Sequence, residues 1–583
     1  MGFWSRVFNR SSGADKLPAG ESPLTDASQS RWIDQILHVL ALEPLLMSTH
    51  PNSFTPESES HSDFHRESGD RDASTSKTAD ASAKGNAFAS RVRSAVIWRS
   101  GTQIFGQLVA WASTFFVIRI LAPADYGLVA MTGVIALLLS LVNGYGFANA
   151  VIQRKEVDRH TLRQLLGLLV LLNGALAFAQ ILAAPYVADF FGEPMVASLL
   201  QIQALLYPTT PFIFLAYTVL SRSMEFRLQA QVNFTAAIAA ALSAVALALL
   251  GWGVWTLVIA PLIGLYIRAI GLTLAAKSLM WPTFDFRGAG YIARFGGLVL
   301  LSQAFWFVQT QADIFILGRL YSAAELGVYS TALFLTQVFL TKMVPPLNEV
   351  AFSAYSRITD GEGGALSSAF LRSVQMIMMV GLPIFAGFAV TAEPLVLTVL
   401  GEKWAATIPF VILLAIAMPM KTMLTLFVPA SNAIDRADLP VRNALAGAII
   451  MPCAFLFALQ WGVIGVGYAW IAGYLLVLSL AARWTLPALG VAFADVARVV
   501  WPALVAALLM ACAVKAIDAG LPALAQWARL AALVMAGAVA YCAALFLLAR
   551  KATLEVFHLV VQLKAPDAAD PAAPTAQTDA ARS

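Results

Sequence analysis

The chain has 583 residues, of which 59% are hydrophobic and only 12% charged, and its formal net charge is +4. A soluble domain needs roughly 25% charged residues to cover its surface, so these proportions exclude an ordinary soluble protein. The small net charge and the lack of any Lys/Arg-rich run give no support to a nucleic-acid partner.

Residues 1–90 read as a polar tail. Apolar density collapses from Ser48 onward in favour of Ser, Asp, Glu, Thr and His. Such a segment buries too little apolar area to offset the entropy of ordering and is expected to be disordered. Only Trp32 to Met47 could form a short amphipathic helix, and Trp4 to Phe8 is too short and charged for a signal peptide. From about Ile97 to Arg550 the chain becomes a series of apolar stretches. Each is about twenty residues long, enough for a helix rising roughly 1.5 Å per residue to cross roughly 30 Å of hydrocarbon. About fourteen transmembrane helices are predicted, at 97–121, 127–149, 162–184, 199–220, 230–250, 254–276, 292–316, 327–344, 371–392, 406–429, 441–459, 463–482, 497–515 and 525–549. Residues 564–583, rich in Ala, Asp and Pro, read as a second disordered tail.

Cys453, Cys512 and Cys542 fall inside these spans as small apolar residues, expected buried, with no pairing implied. No His/Cys/carboxylate spacing suggests a metal site. Alternate loops carry most of the Lys and Arg, including Arg154, Lys155, Arg159, Arg163, Arg222, Arg227, Lys277, Arg287, Arg357, Arg436, Arg483 and Arg550. The opposite loops hold little beyond Arg119, Arg319, Lys403, Lys515 and Arg529. The positive-inside rule then places both termini in the cytoplasm.

The chain also compares with itself at a displacement of about two hundred residues. Arg119-Ile-Leu-Ala-Pro-Ala-Asp125-Tyr-Gly127 aligns with Arg319-Leu-Tyr-Ser-Ala-Ala-Glu325-Leu-Gly327, Gln103 with Gln303, and Trp252-Gly253-Val254 with Trp461-Gly462-Val463. The expected fold is therefore an all-α membrane protein with two six-helix lobes, 91–290 and 291–485, related by a parallel repeat, and two further spans in 486–563. Transporters built on parallel repeats bind substrate between the halves and rock them.

Three stretches carry a family resemblance. They are Leu121-Ala-Pro-Ala-Asp125-Tyr126-Gly127-Leu-Val-Ala-Met131; Gln311-Ala-Asp313-Ile-Phe-Ile-Leu-Gly318-Arg319-Leu leading into Glu325-Leu-Gly327-Val-Tyr329; and Val344-Pro-Pro-Leu-Asn-Glu-Val-Ala-Phe-Ser353-Ala-Tyr-Ser356-Arg357-Ile358. Together they resemble the Wzx and WzxC-type polysaccharide flippases of the multidrug/oligosaccharidyl-lipid/polysaccharide superfamily, over Arg91 to about Asp495. The long polar N-tail departs from that family's usual pattern. The resemblance implies a non-enzymatic transporter, without cofactor, in a bacterial inner membrane. It would move a polyprenyl-pyrophosphate-linked oligosaccharide to the outer leaflet for O-antigen or exopolysaccharide synthesis, in contact with membrane lipid, a polysaccharide polymerase and a chain-length regulator. A cation-coupled multidrug exporter or a peptidoglycan-precursor exporter of the same superfamily is the alternative. The outer loops are too short for a catalytic domain, and no phosphate-binding Gly-x-x-x-x-Gly-Lys-Ser/Thr loop is present.

Charged and polar groups inside spans are costly, so each is a functional candidate. Ser302, Trp306, Gln309 and Asp313 share one helix face by spacing. Trp306 could stack on a sugar, and Asp313 could bind a coupling proton or cation; a helix–helix hydrogen bond is the rival reading. Arg99, Gln103 and Gln107 form a similar face in the first span, where Arg99 either meets pyrophosphate or snorkels to the interface. Arg268 and Lys421, the latter just after a kink expected at Pro419, either draw phosphate into the cavity or reach the inner headgroups. Arg119, Asp125, Arg319 and Glu325 are expected to form turn-stabilising or gating pairs. Gly127 and Gly327 are expected to permit tight entry into the next span.

Overall fold

The structure, a computed structural model, describes residues 105–141, 159–223, 225–284, 290–358, 365–522 and 525–548. Both expected tails, Arg99 and Gln103 lie outside these residues, and so does the side chain of Ser302.

Backbone groups in hydrocarbon have no water to bond and must satisfy each other within the segment. The described residues are accordingly almost all helical, with no strand among them. The helices are α1 (Phe105–Ile120), α2 (Pro123–Ser140), α3 (Arg159–Phe191), α4 (Met195–Gln203), α5 (Thr210–Arg222), α6 (Phe226–Leu249), α7 (Trp255–Ala275) and α8 (Gly290–Leu320). They continue with α9 (Ala323–Ile358), α10 (Ala365–Val390), α11 (Ala392–Val399), α12 (Ile408–Ala433), α13 (Asp438–Ala458), α14 (Gly465–Ala488), α15 (Phe493–Gly520) and α16 (Gln526–Leu548). Twelve spans among the described residues are long and apolar enough to cross a membrane, against about fourteen expected. Two more helices stand in expected positions, the shorter apolar α1 and the 31-residue α8.

Several boundaries differ from expectation for identifiable reasons. The fourth span is interrupted: a 3-10 segment, Ala204–Thr209, separates α4 from α5 and contains Pro208, which lacks a backbone N–H. Pro211 then occupies the first turn of α5, where no N–H is required. The span predicted at 327–344 is a single 36-residue helix, α9. Helices α10, α12 and α13 continue past Pro383, Pro419 and Pro452. Cys453, Cys512 and Cys542 are free and exposed, not buried as expected. They sit on faces turned away from the packed core, which in a membrane-spanning bundle meet lipid.

Helix packing is largely local. In the N-terminal part α6 packs on α7, α3 on α4 and α5, and α5 on α7. In the C-terminal part α9 and α14 pack on α12, and α13 packs on α8 and α14. The last two helices pack on each other, and α15 lies along α10. The largest core cluster is drawn mostly from α8–α14. It reaches the N-terminal helices through Ile118, Met131, Ala184, Ala188, Phe191, Val196 and Leu200. All seven lie toward the end that carries the 121–127 turn, which is the cation-poor end.

The repeat extends into backbone conformation. Gly192 (φ +73°) and Gly401 (φ +99°) stand at the same separation as Gly253 (φ +52°) and Gly462 (φ +70°). Side-chain-bearing residues rarely adopt such φ values, so these paired turns depend on glycine.

At the same end Arg529 of α16 grips Asp518 of α15 at 2.7 Å and Glu393 of α11 at 3.2 Å. Replacing Arg529 by Ala is expected to lower stability by about 1–2 kcal/mol, read as an earlier melting transition in detergent. An unchanged transition would show that packing alone holds the last helix pair.

Candidate functional site

Two arrangements bring the candidate residues together. The first is the crossing of α2 and α9 at the cation-poor end. A Cβ added at Gly127 would lie 1.7 Å from the Ala323 carbonyl oxygen, and one added at Gly327 would lie 1.7 Å from the Pro123 carbonyl oxygen. These two contacts are equivalent under the sequence repeat. Each copy of the turn thus uses its glycine to let the other copy's backbone approach. Neither glycine has a positive φ, so the requirement is closeness between helices, not the turn conformation expected from sequence.

The flanking acids cap their own turns. Asp125 Oδ2 accepts the Ala122 N–H at 2.9 Å. Glu325 Oε2 accepts the Ser322 N–H at 3.0 Å and the Ser322 hydroxyl at 2.7 Å. The arginines cross to the other repeat copy. Arg119 donates to the carbonyls of Val399, at 3.1 Å, and Thr398. Arg319 lies 5.7 Å from the centre of the Phe190 ring. The turns therefore hold capped acids and cross-reaching arginines in place of the expected Arg–acid pairs. Trp404, fully buried, adds a hydrogen bond from Nε1 to the Ile118 carbonyl at 3.0 Å and an edge contact with Tyr126 at 5.5 Å.

The second arrangement is a buried polar cluster within the C-terminal helices. Asp313 of α8 is 1% exposed and accepts a hydrogen bond at Oδ2 from the Tyr329 hydroxyl of α9. Tyr329 in turn accepts from Trp470 Nε1 of α14 at 2.7 Å. Asp313 Oδ1 is buried with no hydrogen-bond partner among the described residues. Lys421 of α12 places its ammonium 4.9 Å from the centre of the Trp470 ring and 6.0 Å from that of Tyr474, within electrostatic reach of Asp313. Side chains on a helix lean toward its N-terminus. That brings Lys421, midway along α12, toward the level of Asp313. Two aromatic faces lie against the Lys421 ammonium inside the bundle, one of the two positions left open for it from the sequence.

The remaining candidates are dispersed. Gln309 packs tightly against α13, where a Cβ on Gly447 would lie 2.2 Å from its side-chain amide carbon. Trp306 is 44% exposed and Asp313 1% exposed, so the shared face of α8 runs from an exposed to a buried position. Arg268 on α7 is half-buried near Tyr217, with Nε unpartnered among the described residues, and belongs to the N-terminal helices, apart from Lys421. Gln107 is half-buried on α1. Tyr329, Trp470, Tyr474 and Trp404 were not singled out from sequence. Only Tyr329 carried a signal there, as the last residue of a family-like stretch.

A family model described as polysaccharide biosynthesis protein matches residues 116–409. The chain is 24% identical over 367 residues to the succinoglycan biosynthesis transport protein ExoT of Rhizobium meliloti (strain 1021), spanning 60% of this chain and 74% of that one. It is 24% identical over 366 residues to the lipopolysaccharide biosynthesis protein WzxC of Escherichia coli (strain K12), spanning 62% and 73%. In three dimensions it is similar to the lipid II flippase MurJ in an inward closed conformation, with TM-score 0.64, 12% identity, and 80% and 99% of the two chains covered. It is also similar to an inward-facing multidrug resistance MATE family transporter of the MOP superfamily, with TM-score 0.51, 16% identity, and 66% and 94% covered. At these identities the structural likeness is one of fold.

Proposed function

The chain belongs to the polysaccharide biosynthesis protein family, and from that premise we propose that it translocates a polyprenyl-pyrophosphate-linked oligosaccharide across the bacterial inner membrane by alternating access. The termini are cytoplasmic, so the cation-poor end faces outward. Residues 91–290 and 291–485 act as two rocking lobes. A polymerase and a chain-length regulator receive the product.

The observation that carries this reading is the reciprocal crossing of α2 and α9. The lobes join through a short, self-complementary contact at one end, of the kind that parts and re-forms as a unit. The Asp313–Lys421 pair supplies the coupling. While Asp313 is ionised it balances the Lys421 ammonium inside the low-dielectric bundle. An incoming pyrophosphate offers Lys421 a second anionic partner. Asp313, losing its counter-charge, then takes up a proton. Binding of substrate and of proton therefore favour each other, and by linkage the effect is reciprocal, so the two cross together and the rate of export responds to the proton gradient, an inward gradient opposing it. The polyprenyl tail stays in lipid, and only the glycan and pyrophosphate need the polar route.

A strain lacking the gene is expected to lose surface polysaccharide and to accumulate the lipid-linked repeat unit on the cytoplasmic face, and a plasmid copy is expected to reverse both. Normal polysaccharide with no accumulated intermediate would overturn the proposal.

A further inference from the structure

A cavity of about 590 Å³ opens between α3, α5 and the segment that follows α7. Its walls are mostly apolar, formed by Leu166, Val170 and Ala177 of α3, by Pro211 and Phe212 of α5, and by Trp281. The polar side chains among them, Asn173 and Tyr207, bond within the protein, Asn173 Nδ2 to the Leu169 carbonyl at 2.9 Å and the Tyr207 hydroxyl to Gln180 Oε1 at 2.9 Å. It shares no lining residue with the α2–α9 crossing or the Asp313 cluster. The segment after α7 is fastened over one side. Arg163 Nε donates to the Trp281 carbonyl at 2.9 Å, and the Thr283 N–H donates to the Arg163 carbonyl at 3.1 Å. We propose that this cavity holds one acyl chain of an anionic phospholipid, with the headgroup at the cation-rich end.

Length and charge select this occupant. The wall from Leu166 to Ala177 runs roughly 17 Å at the helical rise per residue. That is close to the roughly 15 Å depth of hydrocarbon in one leaflet, so one chain of one leaflet fills it. A polar solute would leave its hydrogen-bonding groups unmatched against such walls. At the cation-rich end the described residues nearest in sequence to the cavity are basic. Arg159 and Arg163 are exposed in the first two turns of α3, whose first turn has no acid, and Lys277 is exposed beyond α7. Arg222 and Arg227 lie at the same end, and among the described residues between them there is one carboxylate, Glu225. This is the charge balance that draws anionic headgroups. Leu279 and Trp281, 80% and 85% exposed, add the apolar and aromatic anchors usual at a membrane interface. The site does not rest on the transport proposal; only its assignment to the cytoplasmic leaflet does.

The test is native mass spectrometry of the purified full-length protein after detergent exchange and addition of phosphatidylglycerol or phosphatidylcholine. Wild type is expected to retain one phosphatidylglycerol per chain in preference to phosphatidylcholine. Gly174 also lines the cavity, and a Cβ there meets nothing within 4 Å. Gly174→Leu should thus keep the fold while obstructing the chain, and retention should fall at least about fivefold. Arg159→Glu with Lys277→Glu, which leaves the Arg163–Trp281 hydrogen bond in place, should abolish the preference for phosphatidylglycerol. Melting curves establish that the variants are folded, and Ala177→Val serves as a second, smaller obstruction. Unchanged retention in both cavity variants overturns the proposal, as does capture of a polyprenyl phosphate in place of the phospholipid.

Discussion

Asp313→Asn is expected to reduce polysaccharide export at least about tenfold, equivalent to ~1.4 kcal/mol of lost coupling, while the protein still inserts. The substitution preserves shape and the acceptor for the Tyr329 hydroxyl, but it removes the charge that balances Lys421. Loss of that charge leaves the Lys421 ammonium without its electrostatic counterweight inside the bundle. The single variant should therefore also melt earlier in detergent. Lys421→Met should do the same for the converse reason. The double variant should recover stability but not transport, since an apolar replacement for a buried pair is often neutral for folding. A double-mutant cycle on melting separates the pair from its neighbours. In proteoliposomes, transport by Asp313→Asn should lose its dependence on a proton gradient. A variant that kept that dependence and normal export would remove Asp313 from the mechanism.

Gly127→Ala and Gly327→Ala should each prevent closure of the cation-poor end. The new methyl carbon would sit 1.7 Å from a backbone carbonyl oxygen of the opposing helix. No rotamer relieves that overlap, because both atoms belong to helical frameworks. The helices must separate, which strains the neighbouring Arg119 and Trp404 hydrogen bonds that join α1 to residues 398–404 at the same end. A penalty of about 3 kcal/mol would shift the closed population more than a hundredfold. Ile118 is 1% exposed beneath Trp404. A cysteine placed there should react slowly with an impermeant maleimide in an otherwise unaltered protein and rapidly in either glycine variant, with export lost. Gly133→Ala, also on α2 but with open space at its Cβ, should change neither. Slow labelling with full export in Gly127→Ala would show that the crossing yields without consequence.

The two sites were legible in the sequence to different degrees. Each turn motif could be read as a repeat of the other, because arginine, acid and glycine recur in register. That the copies touch, glycine against backbone, could not be read, since the partner of each glycine lies about two hundred residues away and is a carbonyl, which every residue possesses. Asp313 stood out because a carboxylate in an apolar span is costly. Its partners did not stand out, because Tyr329, Trp470 and Tyr474 are ordinary residues in apolar helices until packing turns them inward. Lys421 was noticed but its direction stayed open between the cavity and the headgroups, since spacing along α12 does not say which neighbour its face meets.

Hydrophobic run length and the distribution of arginine and lysine were enough to establish a helical membrane protein and to predict its orientation, because a bilayer imposes a fixed thickness and loop charges set which side they face. Which residues become a site was decided by tertiary packing. Crossing α2 over α9, and enclosing Asp313 with Lys421 among three aromatic rings, depends on distances between helices far apart in the chain, and no local pattern encodes such distances.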